Sequence, residues 1–148
     1  MRGRSVSSFL SYLAAVTALF VCLLSACSVP NLEKPECTAA RDTVKRFYSF
    51  HFDNAGHASD QVMPERLAFI TPRLAGEIAS ANWAGRDYFT QTEEFPKAFR
   101  VGACNAAGDT ATLEVVLLWR DDKASRQEEI KVGTVRSGDN WLIDKVTK

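Results

Sequence analysis

From Cys37 onward the apolar positions fall into two periods. Ala40, Val44, Phe47, Tyr48 and His51 recur at helical spacing on one face, with Arg41, Asp42, Lys45 and Arg46 on the other, so the pattern predicts an amphipathic helix over Cys37–Phe52. Pro35 and Glu36 suit its first turn, where proline needs no amide partner and an acid meets the positive helix end. Asn54, Gly56 and the polar residues around them end it. A second helix is predicted over Ser59–Ile70 with Met63, Leu67 and Ile70 buried; Pro64 would be tolerated only in its first turn, which leaves the start open. Thr71-Pro72 starts a third, with Thr71 as N-cap, Pro72 at the first helical position, and Leu74, Ile78 and Ala81 or Asn82 along its face. Asn82–Pro96 has no period, and its Trp83, Tyr88, Phe89 and Phe95 predict a packed loop or a short turn of helix.

At Lys97 the period changes to two. Phe99, Val101 and Ala103 alternate with Arg100 and Gly102, and Ala106–Asp109 makes a turn. Ala111, Leu113, Val115, Leu117 and Trp119 mark one face of a long strand. Val116 and Leu118 make its middle apolar on the other face too, as in a strand covered on both sides. Arg120–Ser125 turns the chain, Glu128–Arg136 is a third strand, Ser137–Asn140 a hairpin turn, and Trp141–Thr147 the last strand. Helices followed by an antiparallel meander of about four strands make an α+β domain. A long curved sheet wrapped on the leading helix forms a cone with a pocket.

The first fifth of the chain is of another kind. Arg2 and Arg4 are the only charged residues before Glu33, and Phe9–Leu24 (FLSYLAAVTALFVCLL) is uncharged and mostly apolar. That run is shorter than the roughly 20 residues a spanning helix needs. It reads as the apolar core of an export signal, followed by the small residues Ser25 and Ala26. Leu24-Ser25-Ala26-Cys27 resembles the lipobox of bacterial lipoproteins. The resemblance implies diacylglycerol on the Cys27 sulfur, cleavage before Cys27 and acylation of the new amine. Two or more acyl chains hold a protein on a bilayer where one does not. Alternatives are an ordinary secretory signal or an uncleaved anchor helix. Ser28 in place of Asp implies, for a Gram-negative cell, the periplasmic face of the outer membrane. The expected organisation is a signal peptide at 1–26, a lipidated cysteine and tether at 27–36, and a folded domain at 37–148. Ser28–Glu36, fully extended, spans roughly 30 Å.

The chain of 148 residues has 18 basic and 18 acidic side chains. Removing Met1–Ala26 takes away two arginines and no acid, leaving a slightly acidic domain. That argues against a nucleic-acid surface, which needs a strongly basic patch. Of the four cysteines, Cys22 lies in the leader and Cys27 is the lipid site, which leaves Cys37 and Cys104 for the domain. In an oxidising compartment they are expected to pair, the alternative being two buried free thiols. No metal-ligand spacing or CxxC pair is present, and neither metal nor cofactor is expected.

The ending Gly138-Asp139-Asn140-Trp141-Leu142-Ile143-Asp144-Lys145-Val146 resembles the terminal hairpin of the nuclear-transport-factor-2-like superfamily, the cystatin-like α+β cone. The helix carrying Phe47-Tyr48 agrees with it. Within that superfamily the chain is similar to small bacterial envelope lipoproteins of unassigned function, through that helix, the Thr71-Pro72-Arg73-Leu74 helix start and the Asp87–Gln91 segment. The likeness covers about Cys37–Lys148 and implies a fold. It does not imply an activity, since such folds host enzymes, carriers and interaction modules.

An enzyme of this shape would place an acid or a histidine inside the cone. Tyr48 and His51 lie three apart on the apolar helix face and would face a cavity together, or else sit at the helix margin with their polar tips satisfied. Asp144 would point inward or take a cross-strand role. Asp87 and Gln91 would serve a site or latch the aromatic loop to backbone. His57 falls in a polar turn. Trp83, Tyr88 and Phe89, with Phe95, form the candidate ligand or partner surface, with core packing the competing use. No Ser-His-Asp set or phosphate loop is present. Two functions follow. The first is a non-catalytic, membrane-anchored periplasmic interaction module, such as an accessory subunit of an envelope complex or an immunity protein, with an envelope protein as partner. The second is a small-molecule binder or enzyme using the cone pocket, which requires an internal cavity.

Overall fold

The computed structural model describes residues 33–55, 59–81, 85–121 and 124–148. Cys27 with its lipobox, His57 and Trp83 lie outside them, as does Asn82. Among the described residues the architecture is α+β, with three helices followed by a curved, open, four-stranded antiparallel sheet in the order β1-β2-β3-β4. No helix among the described residues is long and apolar enough to cross a membrane.

Helix α1, Pro35–Asp53, buries Cys37, Ala40, Thr43, Val44, Phe47, Tyr48 and His51. These positions follow the helical period, so one stripe lies against the sheet and touches β1, β2 and β4. Phe47 and Tyr48 are completely buried, and each such side chain contributes about 1.5–3 kcal/mol by leaving water. Arg41, expected on the solvent face, is instead half-buried. It pairs with Glu33 and donates to the carbonyls of Val101 (3.3 Å) and Gly102 (2.5 Å).

Helix α2, Ser59–Leu67, is shorter than its apolar spacing predicts, and Pro64 stands inside it. Leu67 is 46% exposed rather than buried. Ile70 is buried but not helical: it bridges in parallel to Ile143, with Ile143 N–H donating to Phe69 O at 2.8 Å and Thr71 N–H to Ile143 O at 2.9 Å. Pairing with the sheet edge satisfies backbone groups that another helical turn would otherwise use. Helix α3, Pro72–Ser80, begins where Thr71-Pro72 predicts. The Thr71 hydroxyl accepts from Leu74 N–H, and Leu74 is buried.

The strands are β1 (Ala98–Ala107), β2 (Thr110–Arg120), β3 (Ser125–Ser137) and β4 (Asn140–Thr147). In β2 the expected face, Ala111 through Trp119 in alternation, is buried throughout. Val116 and Leu118 are half-exposed on the face turned away from α1. Their partners across the β2–β3 pairing are Glu129 and Gln127, so this is a partly solvated outer face and not a covered one. In β1 the register shifts between Val101 and Cys104. This bulge changes the parity of the strand: Phe99 and Val101 pack on the core, Ala103 is exposed against expectation, and Cys104 and Ala106 turn inward. A second shift, between Gly133 and Thr134, moves β4 from Trp141 and Ile143 to Val146 on the buried side. Gly133 has a reason to lack a side chain there, since a Cβ would stand 2.8 Å from Lys145 Cγ.

Candidate functional site

Inward parity at Cys104 brings it to the first turn of α1, where it is joined to Cys37 with a Cα–Cα distance of 5.8 Å. Glu33 stands beside the two sulfurs. Both sulfurs are used by the disulfide and Glu33 is held by Arg41, so the trio offers no thiolate to a metal.

The sequence candidates of α1 and the Asp87–Gln91 segment meet in one cluster. Asp87 N–H donates to Thr92 O (2.9 Å) and Gln91 N–H to Asp87 O (2.8 Å), closing a tight turn in which Gln91 takes a left-handed backbone, φ 58°. Asp87 Oδ1 accepts from Thr90 N–H (2.8 Å) and from His51 Nε2 (3.1 Å). Tyr48 donates its hydroxyl to Phe89 O at 2.7 Å, and Val146 N–H donates to the Tyr88 hydroxyl at 3.3 Å. The loop is thereby fastened to α1 and to β4.

Electrostatics agree with a latch. Burial alone would raise the Asp87 pKa, but the His51 contact and the Thr90 amide outweigh it and hold the carboxyl below its ordinary value. Burial pushes the Tyr48 phenol well above its ordinary value, helped by the Asp87 charge, so Tyr48 stays a donor. His51 Nδ1 and Arg66 Nε are buried with no hydrogen-bond partner among the described residues. The Arg66 guanidinium lies 5.7 Å over the Phe89 ring, and burial draws its pKa down against the pull of Asp87.

Around this cluster aromatic rings pack closely. The His51 ring stacks on Phe47 at 5.6 Å and meets Phe89 at 5.2 Å and Phe95 at 5.5 Å. Phe89 is 2% exposed and Tyr88 6%, so both serve as core and not as surface. Asp144 does not point inward: it accepts from the Thr71 hydroxyl at 2.7 Å and pairs with Arg73 at 3.0 Å, at the margin between α3 and β4. Arg73 and the Thr71 hydroxyl lower its pKa against a smaller opposing effect of burial.

No family model and no curated protein matches the chain. A solved structure, that of a protein of unknown function from Bacteroides thetaiotaomicron, is similar with a TM-score of 0.53 and 15% identity, covering 76% of this chain and 91% of that one. At that identity the similarity speaks for the fold alone.

Among the described residues, one open concavity of about 370 Å³ lies on the outer sheet face beside Ala103, Thr112 and Lys131, and others lie at the end of the sheet where β1 begins and β2 passes into β3. Two adjoining ones, of about 270 and 520 Å³, share Lys97, Trp119, Arg120 and Arg126. The Arg126 guanidinium lies 4.2 Å over the Trp119 ring and pairs with Glu94 at 3.2 Å, while Trp119 Nε1–H donates to Glu94 O at 3.1 Å. The sequence pattern did not single out this groove. Trp119 reads as one more inward strand residue, and Lys97, Arg120 and Arg126 read as ordinary surface charge.

Proposed function

We propose that this chain is a lipid-anchored envelope lipoprotein whose folded part is a nuclear-transport-factor-2-like domain acting as a non-catalytic interaction module. The observation that carries the second half is the commitment of the candidate reacting groups. Tyr48 is spent on Phe89 O, His51 on Asp87, and Asp144 on Thr71 and Arg73, while Phe47, Tyr48 and Phe89 occupy the interior that a substrate would need. A catalytic base must reach its substrate's proton by hydrogen bond; Tyr48 and His51 do not do so without dismantling the core, and Asp144 stands outside the interior, held by Thr71 and Arg73. The first half rests on Leu24-Ser25-Ala26-Cys27 and the apolar run before it. An accessory subunit of an envelope complex and an immunity protein are both roles of this kind.

The test is capture of a partner. Photo-crosslinking residues introduced at exposed positions of the full-length protein in the cell, followed by purification from solubilised membranes, should recover one protein reproducibly. Repeated recovery of nothing above background would overturn the interaction reading.

A further inference from the structure

We propose that Cys37, Cys104 and Glu33 form a redox-gated site for a thiophilic divalent cation such as zinc, closed while the two sulfurs are joined and open once a dithiol has reduced them. Linear spacing gives no sign of it, because the cysteines are 67 positions apart.

One ligand atom from each of the three residues lies within 4.8 Å of the others. Two sulfurs bound at about 2.3 Å to one tetrahedral ion stand roughly 3.8 Å apart. Side chains rooted 5.8 Å apart at Cα reach that separation by rotation about χ1. Glu33 supplies the third ligand, and water completes the tetrahedron, as in zinc sites that keep one position open.

The surroundings hold the trio together. The bulge between Val101 and Cys104 turns Cys104 toward α1. Arg41 joins that bulge to the carboxylate: it donates to the carbonyls of Val101 and Gly102, and through Nε to both oxygens of Glu33 at 3.2 Å. A carboxylate has about four lone-pair sites. Arg41 therefore orients Glu33 and leaves it able to bind an ion, as outer-shell partners of metal ligands do. Charge balances too. Two thiolates and Glu33 carry three negative charges, against two on the ion and one on Arg41. Lys45 acts on Glu33 more weakly, and Lys34 is turned to Ala106 O. Cys37 stands in the first turn of α1, where the positive helix end and Arg41 favour a thiolate. Cys104 is the less buried sulfur and borders the concavity of about 370 Å³ on the outer sheet face, which gives an ion a way in.

Opening is a thiol–disulfide exchange. A thiolate of the dithiol attacks Cys104 Sγ, and the S–S bond breaks with its electron pair going to Cys37 Sγ. The second thiol of the reductant then displaces Cys104 and closes its own disulfide, leaving two thiols on the protein. The ion binds both sulfurs and releases their two protons.

The test uses the full chain in detergent, with Cys22→Ser and Cys27→Ser so that Cys37 and Cys104 are the remaining cysteines. The chain is reduced with a phosphine and titrated without oxygen with cadmium, whose bonds to thiolate absorb in the ultraviolet. One equivalent should saturate that band, and the chain left oxidised should show none. Glu33→Gln should weaken binding about tenfold or more, while Glu36→Gln should leave it unchanged. Cadmium should also raise the urea midpoint of the reduced chain, since only the folded chain assembles all three ligands. Three results would each overturn the proposal: no band with cadmium in excess, equal affinity of the two glutamate variants, or a band with an unchanged urea midpoint, which would place the binding in the unfolded chain.

Discussion

His51 and Asp87 stand 36 positions apart in the chain, and the imidazole Nε2 meets Asp87 Oδ1 at 3.1 Å. The contact joins the buried face of α1 to a turn that has no period of its own. Its pH dependence has a definite sign. The folded pKa of Asp87 lies below the ordinary 3.8, so the stabilisation is fully present above the ordinary carboxylate range and is lost as pH falls through the depressed folded value. Asp87→Asn should cost about 1–3 kcal/mol at neutral pH. Urea unfolding followed from pH 7 downward should show the gap to the unmodified protein closing in acid. A gap that stays constant to pH 2 would remove the charge from the account.

Tyr48→Phe tests the second fastening of the same loop. The change keeps the ring and deletes the donor, leaving the buried Phe89 carbonyl without its 2.7 Å partner. The expected loss is about 1–3 kcal/mol, seen as a lower urea midpoint with an unchanged slope.

The disulfide closes a loop with a sequence separation of 67 residues. In the chain-entropy model such a closure stabilises the fold by roughly 4 kcal/mol. Replacing Cys37 and Cys104 together by Ala should lower stability by an amount of that order, and reductant should lower the stability of the unmodified protein but not of the variant. Equal sensitivity of both would show that reduction acts elsewhere.

Thr71 has two duties. Its hydroxyl accepts from Leu74 N–H at 3.1 Å and donates to Asp144 at 2.7 Å. Thr71→Ala should cost about 1–2 kcal/mol, and Thr71→Ser should restore most of it, because serine supplies the same oxygen. Thermal melts of the two variants side by side decide this.

Cys27→Ser tests the anchor. The variant should remain uncleaved and should no longer incorporate labelled fatty acid, since the proposed acceptor of the lipid is the Cys27 thiol. Undiminished labelling would contradict the lipoprotein reading.

Much of the frame was legible from periodicity. The buried stripe of α1, the buried alternation of β2, the Thr71 cap and the hairpin at Ser137–Asn140 all follow from local spacing and turn chemistry. The candidate cluster was legible in half: Tyr48 and His51 share a helix face by arithmetic, but nothing local names Asp87 or the Phe89 carbonyl as their partners. Ala103 shows another limit. Strict alternation puts it in the core, yet the bulge before Cys104 turns it out, and a bulge answers to the fit of the sheet over α1 and not to one residue's preference. Ile70 and Arg41 were misplaced for related reasons, each being claimed by a strand edge distant in sequence.

The sequence by itself determined the kinds of element, their order, and which face of α1 and β2 would be apolar, because these depend on neighbours within one or two turns or pleats. Only the tertiary structure decided the inward turn of Cys104, the pairing of His51 with Asp87, the filling of the interior by Phe47 and Phe89, and the joining of Lys97, Trp119 and Arg126 into one groove. Those outcomes depend on contacts made across the sheet and between distant segments. There, register and packing select among side chains that local propensity treats alike.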